Sequence, residues 1–141
     1  MNSKTIPWII AALMVSSGAS AKIKSGVMAA GVFGQELCVV ENARVEAKFR
    51  DLMLRIIHAR GYQTRIVATT ADCPVTMTFT ATYARTRWGT VSVLKTSRFM
   101  VYRDAKDIAE VTYSYSHGMF GNGTVEEVVT AMIEKLLPSG K

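Results

Sequence analysis

The stretch PVTMTFTATYAR, residues 74–85, alternates without a break. Val75, Met77, Phe79, Ala81 and Tyr83 are apolar, and Thr76, Thr78, Thr80 and Thr82 stand between them. A period of two marks a strand with one dry and one wet face, because successive side chains of an extended chain point to opposite sides. Threonine suits the wet side: its branched Cβ fits the pleat while its hydroxyl stays hydrated. The fold then turns on what covers the dry side and whether anything covers the other.

Upstream, ELCVV (residues 36–40) is a short apolar run of strand type. From Asn42 the period changes. Val45, Phe49, Leu52, Met53, Ile56 and Ile57 recur at helical spacing and form one stripe. Asn42 is suited to cap the start of that helix, and Gly61 to take the left-handed conformation that closes its end. YQTRIVAT (62–69) reads as a second strand. Downstream of the threonine strand, residues 91–103 form a fourth strand whose alternation slips near Lys95 to Arg98, which predicts a bulge or a bend. A polar turn over Asp104 to Asp107 leads into a fifth strand, 108–116. The last element is a helix with Val125, Val128, Val129, Met132, Ile133 and Leu136 on one stripe. Thr124 and Glu127 have capping-box spacing at its start, and Pro138 stops it.

The order βαββββα predicts an α+β two-layer sandwich: a mostly antiparallel five-stranded sheet with both helices on one face. Two single-striped helices cover one side of such a sheet and leave nothing for the other, so the threonines are expected to face water.

Residues 1–21, MNSKTIPWIIAALMVSSGASA, read as a signal peptide: one lysine, an apolar run from Ile6 to Val15, and an A-x-A site at Ala19 to Ala21. That run is too short for a spanning helix, which needs about 20 residues. Residues 22–35 hold three glycines without a sustained period and are expected to be a flexible leader; residues 36–138 make a single domain. The expected location is periplasmic or secreted. Two cysteines, Cys38 and Cys73, allow one intramolecular pairing, and an exported chain meets conditions under which a disulfide persists. Of the 17 Lys and Arg, Lys4 falls in the signal, so the remainder outnumber the 11 acids by five. The basic residues form no run. With export, the expected counter-surface is a protein or an anionic envelope component, with peripheral membrane contact open and nucleic acid excluded as a partner.

No carboxylate pair, metal-ligand spacing or nucleophile arrangement emerges, so no catalytic residue, metal or cofactor is assigned. The glycine-rich HGMFGNGT (117–124) lacks the G-K-[ST] ending of a phosphate loop and follows an antiparallel strand. The binding candidates are Thr76, Thr78, Thr80 and Thr82, with Arg85, Arg87 and Trp88 at the following turn. A tryptophan between a basic flank and a turn offers an apolar ring with a polar N–H, a combination frequent at contact surfaces.

ELCVVENARV, ARGYQT, Cys73 leading into TFTATY, then FMVYRD, AEVTYSY and TVEEVVTAMIEKLL resemble a group of small, functionally uncharacterised proteobacterial envelope lipoproteins, over residues 36–137. The resemblance implies cysteines at the places of Cys38 and Cys73. The chain departs from that group in having no lipidation cysteine near residue 21, and in having Gly89 after Trp88 where the group has an acid. The expected function is a non-catalytic envelope binding or accessory module acting through the exposed sheet face and the hairpin turn. The alternative is an inhibitor or immunity-type protein that blocks an envelope-acting enzyme. Mass spectrometry of the exported protein should find a chain that begins at Lys22 and lacks two hydrogens relative to the dithiol; a retained N-terminus or two free thiols would contradict this reading.

Overall fold

The computed structural model describes residues 23–85, 92–115 and 124–139. Its elements run β1 (Ile23–Val27), β2 (Leu37–Val40), α1 (Ala47–Ala59), β3 (Thr64–Val67), β4 (Val75–Arg85), β5 (Ser92–Arg103), β6 (Lys106–Ser114) and α2 (Val125–Leu136). The fold is α+β, as expected. The sheet differs in detail: it has six strands, in the order β1-β6-β5-β4-β2-β3, and it is mixed. β4, β5, β6 and β1 are antiparallel neighbours, whereas β2 runs parallel to both β3 and β4.

The sixth strand comes from the segment expected to be a flexible leader. β1 pairs with β6, and the chain that follows is built into the domain. Ala29 and Val32 are buried, the Ala29 N–H donates to the Leu136 carbonyl at 2.7 Å, and Phe33 meets Tyr62 edge to face at 5.2 Å. Period analysis misses such a strand because five residues, one of them glycine, hold too few side chains to display an alternation.

Both helices lie on the same side. Leu37 and Val39 of β2, Val75, Met77 and Phe79 of β4, and Phe99 and Val101 of β5 form one buried cluster with the stripes of α1 and α2. Phe49 of α1 packs against Phe79 and Phe99, ring centroids 6.3 Å apart in each case. The polar Ser97 on this side is buried too, and its hydroxyl donates to the Thr80 carbonyl at 2.7 Å.

The helix ends obey local chemistry with one correction. Thr124 and Glu127 form the expected capping box, each side chain accepting from the other's backbone N–H. Gly61 has φ of 97° and its N–H donates to the His58 carbonyl, ending α1. Asn42, however, does not cap α1, which begins at Ala47. Its amide instead donates to the Phe79 carbonyl at 2.8 Å and accepts from the Arg44 N–H at 2.9 Å, tying the approach to α1 onto β4.

The parallel half imposes a crossing. β3 and β4 flank β2 and run the same way, so the chain leaving Val67 must return almost the full length of β2 before Val75 begins. It returns in residues 68–74, on the face of β2 that carries Cys38, opposite Leu37 and Val39. There Cys73 is bonded to Cys38 across a sequence separation of 35, and Val67 and Val40 close around the pair. The return satisfies its own backbone: Asp72 accepts from the Ala68 and Thr69 N–H groups, and the Thr69 hydroxyl accepts from Ala71. The β5–β6 turn docks beside it. Asp104 and Ala105, with φ of 53° and 66°, form a two-residue hairpin loop of the type in which both residues are left-handed, and the Asp104 N–H donates to the Pro74 carbonyl at 2.8 Å.

Replacing Cys38 and Cys73 together by alanine should lower unfolding free energy by about 3–4 kcal/mol, the chain-entropy value for a closed loop of this length. Chemical denaturation of the oxidised and variant proteins reads this directly, and an unchanged midpoint would show that the return is held without the bridge.

Candidate functional site

The face away from the helices divides into a covered end and a bare end. Register places Cys38, Thr76 and Tyr102 side by side in one row. In that row Thr76 is fully buried under the crossing, and its hydroxyl has no hydrogen-bond partner among the described residues. Thr76 was expected on the wet face with the other threonines, and the structure corrects this. Its side of the strand is as expected, but the bridged return lies over it, and a loop that crosses a sheet leaves no periodic signal of its own. Thr78, one step along, is half-buried and pairs with Met100 and, through it, Glu110.

Beyond that row the surface opens. Thr80 aligns with Arg98 and Thr112, and Thr82 with Thr96 and Ser114. Thr80 and Thr82 are exposed, and the Thr82 and Thr96 hydroxyls share a hydrogen bond at 2.5 Å. Arg98 is paired across strands with Glu110 at 3.0 Å, so the face presents hydroxyls around a compensated ion pair, without a block of one charge. Arg103 reaches the Ala30 carbonyl at 3.3 Å, away from this area. Lys95 occupies a bulge: Thr82 pairs with Thr96 but Tyr83 pairs with Leu94, leaving Lys95 as the extra residue. That is the slip of alternation expected near Lys95 to Arg98.

The bulge of β5 lies opposite the Thr82–Tyr83 step of β4. Tyr83 lies on the helix side yet is 37% exposed, and Arg85 is exposed at the strand's end. Arg87 and Trp88, the other candidates at this turn, lie outside the described residues, as does most of the glycine-rich segment 117–124. Thus Thr80 and Thr82 stand together on one bare surface, Thr76 is removed from it, and Met100, Arg98, Thr96, Thr112 and Ser114 join it. Those on β5 were hidden in the sequence because the Lys95 bulge breaks that strand's alternation, and Thr112 and Ser114 of β6 because residue order does not show which strands lie side by side.

One cluster of three metal-type donors occurs among the described residues: Glu36 with Cys38 and Cys73. Both sulfurs are committed to the disulfide, and Glu36 accepts from Arg65 at 3.2 and 3.3 Å, so the bridged protein offers no ligand set there. His58 is exposed and shares a hydrogen bond of 2.7 Å with Thr64. Among the described residues no helix is long and apolar enough to cross a membrane.

No protein-family model matches the chain, and neither does any curated protein or any solved structure.

Three tyrosines are electrostatically marked. Burial raises the pKa of Tyr62, Tyr83 and Tyr113; a nearby carboxylate, Glu46, adds to the effect at Tyr83, Tyr115 adds to it at Tyr113, and Arg60 opposes it at Tyr62. A phenol whose folded pKa lies above its unfolded value near 10 favours folding in its neutral form. That stabilisation is present below about pH 10 and disappears as pH rises through the higher folded values. Spectrophotometric titration should therefore show late-ionising tyrosines, with the melting temperature falling over the same alkaline range; ordinary titration of all five tyrosines would contradict it.

Proposed function

We propose that this chain is a non-catalytic module of the periplasm or of the secreted fraction that binds a macromolecular partner, a protein or an anionic envelope component, through the bare end of its sheet. The surface comprises Thr80, Thr82, Thr96 and Arg98; Arg85 ends β4 on the helix side, and Arg87 and Trp88, which follow it in the sequence, are proposed to extend the surface. One observation carries this reading: among the described residues both helices lie on one face, and the crossing covers only the β2 end of the other. A sheet whose second side stays open, with its side chains held in register by the strands, presents a rigid surface with little conformational entropy left to lose on binding.

The disulfide supports export, since such bridges persist in oxidising compartments and not in the cytosol. The resemblance of residues 36–137 to small envelope lipoproteins points the same way. Hydroxyls interspersed with one ion pair suit a polar, wet contact better than an apolar one, so the complex is expected to be moderate in affinity and weakly dependent on salt.

Crosslinking capture from the native envelope tests the proposal when run with a paired variant. Thr80→Glu with Thr82→Glu should reduce recovery of the captured partner by about tenfold, equivalent to ~1.4 kcal/mol, without changing the melting temperature, because both side chains are exposed. Trp88→Ala should reduce it as well. Equal capture by the wild type and the double glutamate variant would remove this face from the function.

A further inference from the structure

The bridge that fastens the crossing is set among polar groups. Cys38 is the centre of one row across the parallel half of the sheet, with Arg65 of β3 on one side and Thr76 of β4 on the other. Glu36 stands two residues before Cys38, on the same side of the extended chain, and a carboxylate oxygen of Glu36 lies within 4.8 Å of both sulfurs. Arg65 donates to both oxygens of that carboxylate, at 3.2 and 3.3 Å, and so holds it in place.

Two features of this cluster are not accounted for by the disulfide. The Thr76 hydroxyl is fully buried in the row of Cys38 and has no hydrogen-bond partner among the described residues. Neutral sulfur is a weak acceptor and a thiolate a strong one, so an ionised Cys38 would give that hydroxyl the partner it lacks. Cys73, moreover, is accessible where Cys38 is not: it keeps 7% exposure and lines an open cavity of about 430 Å³, whose wall includes Asp72 and Asp104. A cavity with acidic walls admits cations more readily than anions.

We propose that the reduced chain holds one Zn²⁺ ion at Cys38, Cys73 and Glu36, so that the crossing is fastened by a disulfide in oxidising surroundings and by the metal in reducing ones. The donor set selects the ion. Two thiolates disfavour Ca²⁺ and Mg²⁺, which take oxygen ligands, and the carboxylate beside them favours Zn²⁺ over Cu⁺, which prefers sulfur. Bond lengths of about 2.3 Å to sulfur and about 2.0–2.2 Å to oxygen place the donors of a tetrahedral Zn²⁺ roughly 3.5–3.8 Å apart. The three donors already lie within 4.8 Å of one another, so side-chain rotation assembles the site with the strands in place. Three anionic donors around a dication leave one negative charge, which Arg65 offsets. Val40 and Val67 supply a dry surround, and water takes the fourth position.

The conversion balances with a dithiol as reductant. The dithiol gives up two electrons and two protons and becomes its own disulfide; the Cys38–Cys73 bond breaks and each sulfur becomes a thiol; Zn²⁺ then displaces the two protons. The site does not depend on the threonine surface, which lies beyond the crossing.

The test uses the full chain reduced by a water-soluble phosphine, which leaves no competing thiol, and titrated with Zn²⁺ and with Co²⁺ as a spectroscopic stand-in. One equivalent should bind, with thiolate-to-cobalt charge-transfer absorption, native near-ultraviolet circular dichroism and recovery of the melting temperature lost on reduction. The oxidised chain should bind at least a thousandfold more weakly. Glu36→Gln, at an exposed position, should weaken binding at least tenfold with the oxidised fold intact. Thr76→Val should weaken it about tenfold, the usual effect of losing a group that supports a ligand, without lowering the melting temperature of the oxidised form. The proposal is overturned by no uptake in the reduced chain, by a cobalt spectrum without thiolate charge transfer, by uptake without the native dichroism, by one ion shared between two chains, or by unchanged affinity in Glu36→Gln.

Discussion

The return of residues 68–74 across β2 is the constraint on which this architecture rests. Antiparallel neighbours are joined by tight turns, as β5 and β6 are by Asp104 and Ala105. Parallel neighbours need a chain that travels back, and here β2 is flanked by parallel partners on both sides. α1 makes one journey on the core side, and residues 68–74 make the other on the opposite side. A segment that short cannot bring its own hydrophobic layer. What holds it is covalent, the Cys38–Cys73 bridge, reinforced by the contacts of Val40 and Val67 and by the backbone bonds that Asp72 and Thr69 accept. Without the crossing, β2 would lack cover on its second face and Thr76 would meet solvent.

The same constraint divides the exposed face into unequal parts. At the crossing, a polar hydroxyl is buried without a partner, a cost of about 1–3 kcal/mol by the usual reckoning for an orphaned group. At the other end the Lys95 bulge of β5 stands opposite the last residues of β4. There one face offers hydroxyls to water while the other leaves Tyr83 half out of the core. The bare threonine surface and the half-exposed Tyr83 thus lie at the same end of the long strands, one on each side of the sheet.

Much of this could be read from residue order, and the reasons for success and failure are physical. The stripes of α1 and α2 were legible because each repeats over three turns or more, as were the Thr124 capping box and the Gly61 stop, because each depends on a local conformation that few residues supply. The alternation of β4 gave the correct inward set down to Ala81. The cysteine pairing followed from there being two. Parallel against antiparallel pairing was not legible, since it depends on where strands separated by dozens of residues meet, and the hydrophobic pattern of ELCVV suits either. Asn42 shows how a good capping residue is diverted when a tertiary partner, the Phe79 carbonyl, lies within reach. Thr76 shows the same limit for a site: its facing was readable and its burial was not.

β1 carries a further implication. It forms one margin of the sheet, and β3 forms the other. Margins with unpaired backbone groups invite edge-to-edge growth into larger aggregates. Here β3 is only four residues long and its exposed Arg65 is engaged by Glu36, while β1 is interrupted by a register shift between Ile23 and Ser25. Gly26 completes the defence: a β-carbon at that position would stand 3.0 Å from Cγ of Lys135, so the lysine's hydrocarbon stem roofs the strand where its backbone is barest. A small protein whose sheet is bare over part of one broad side thus has both narrow sides guarded against edge-to-edge growth.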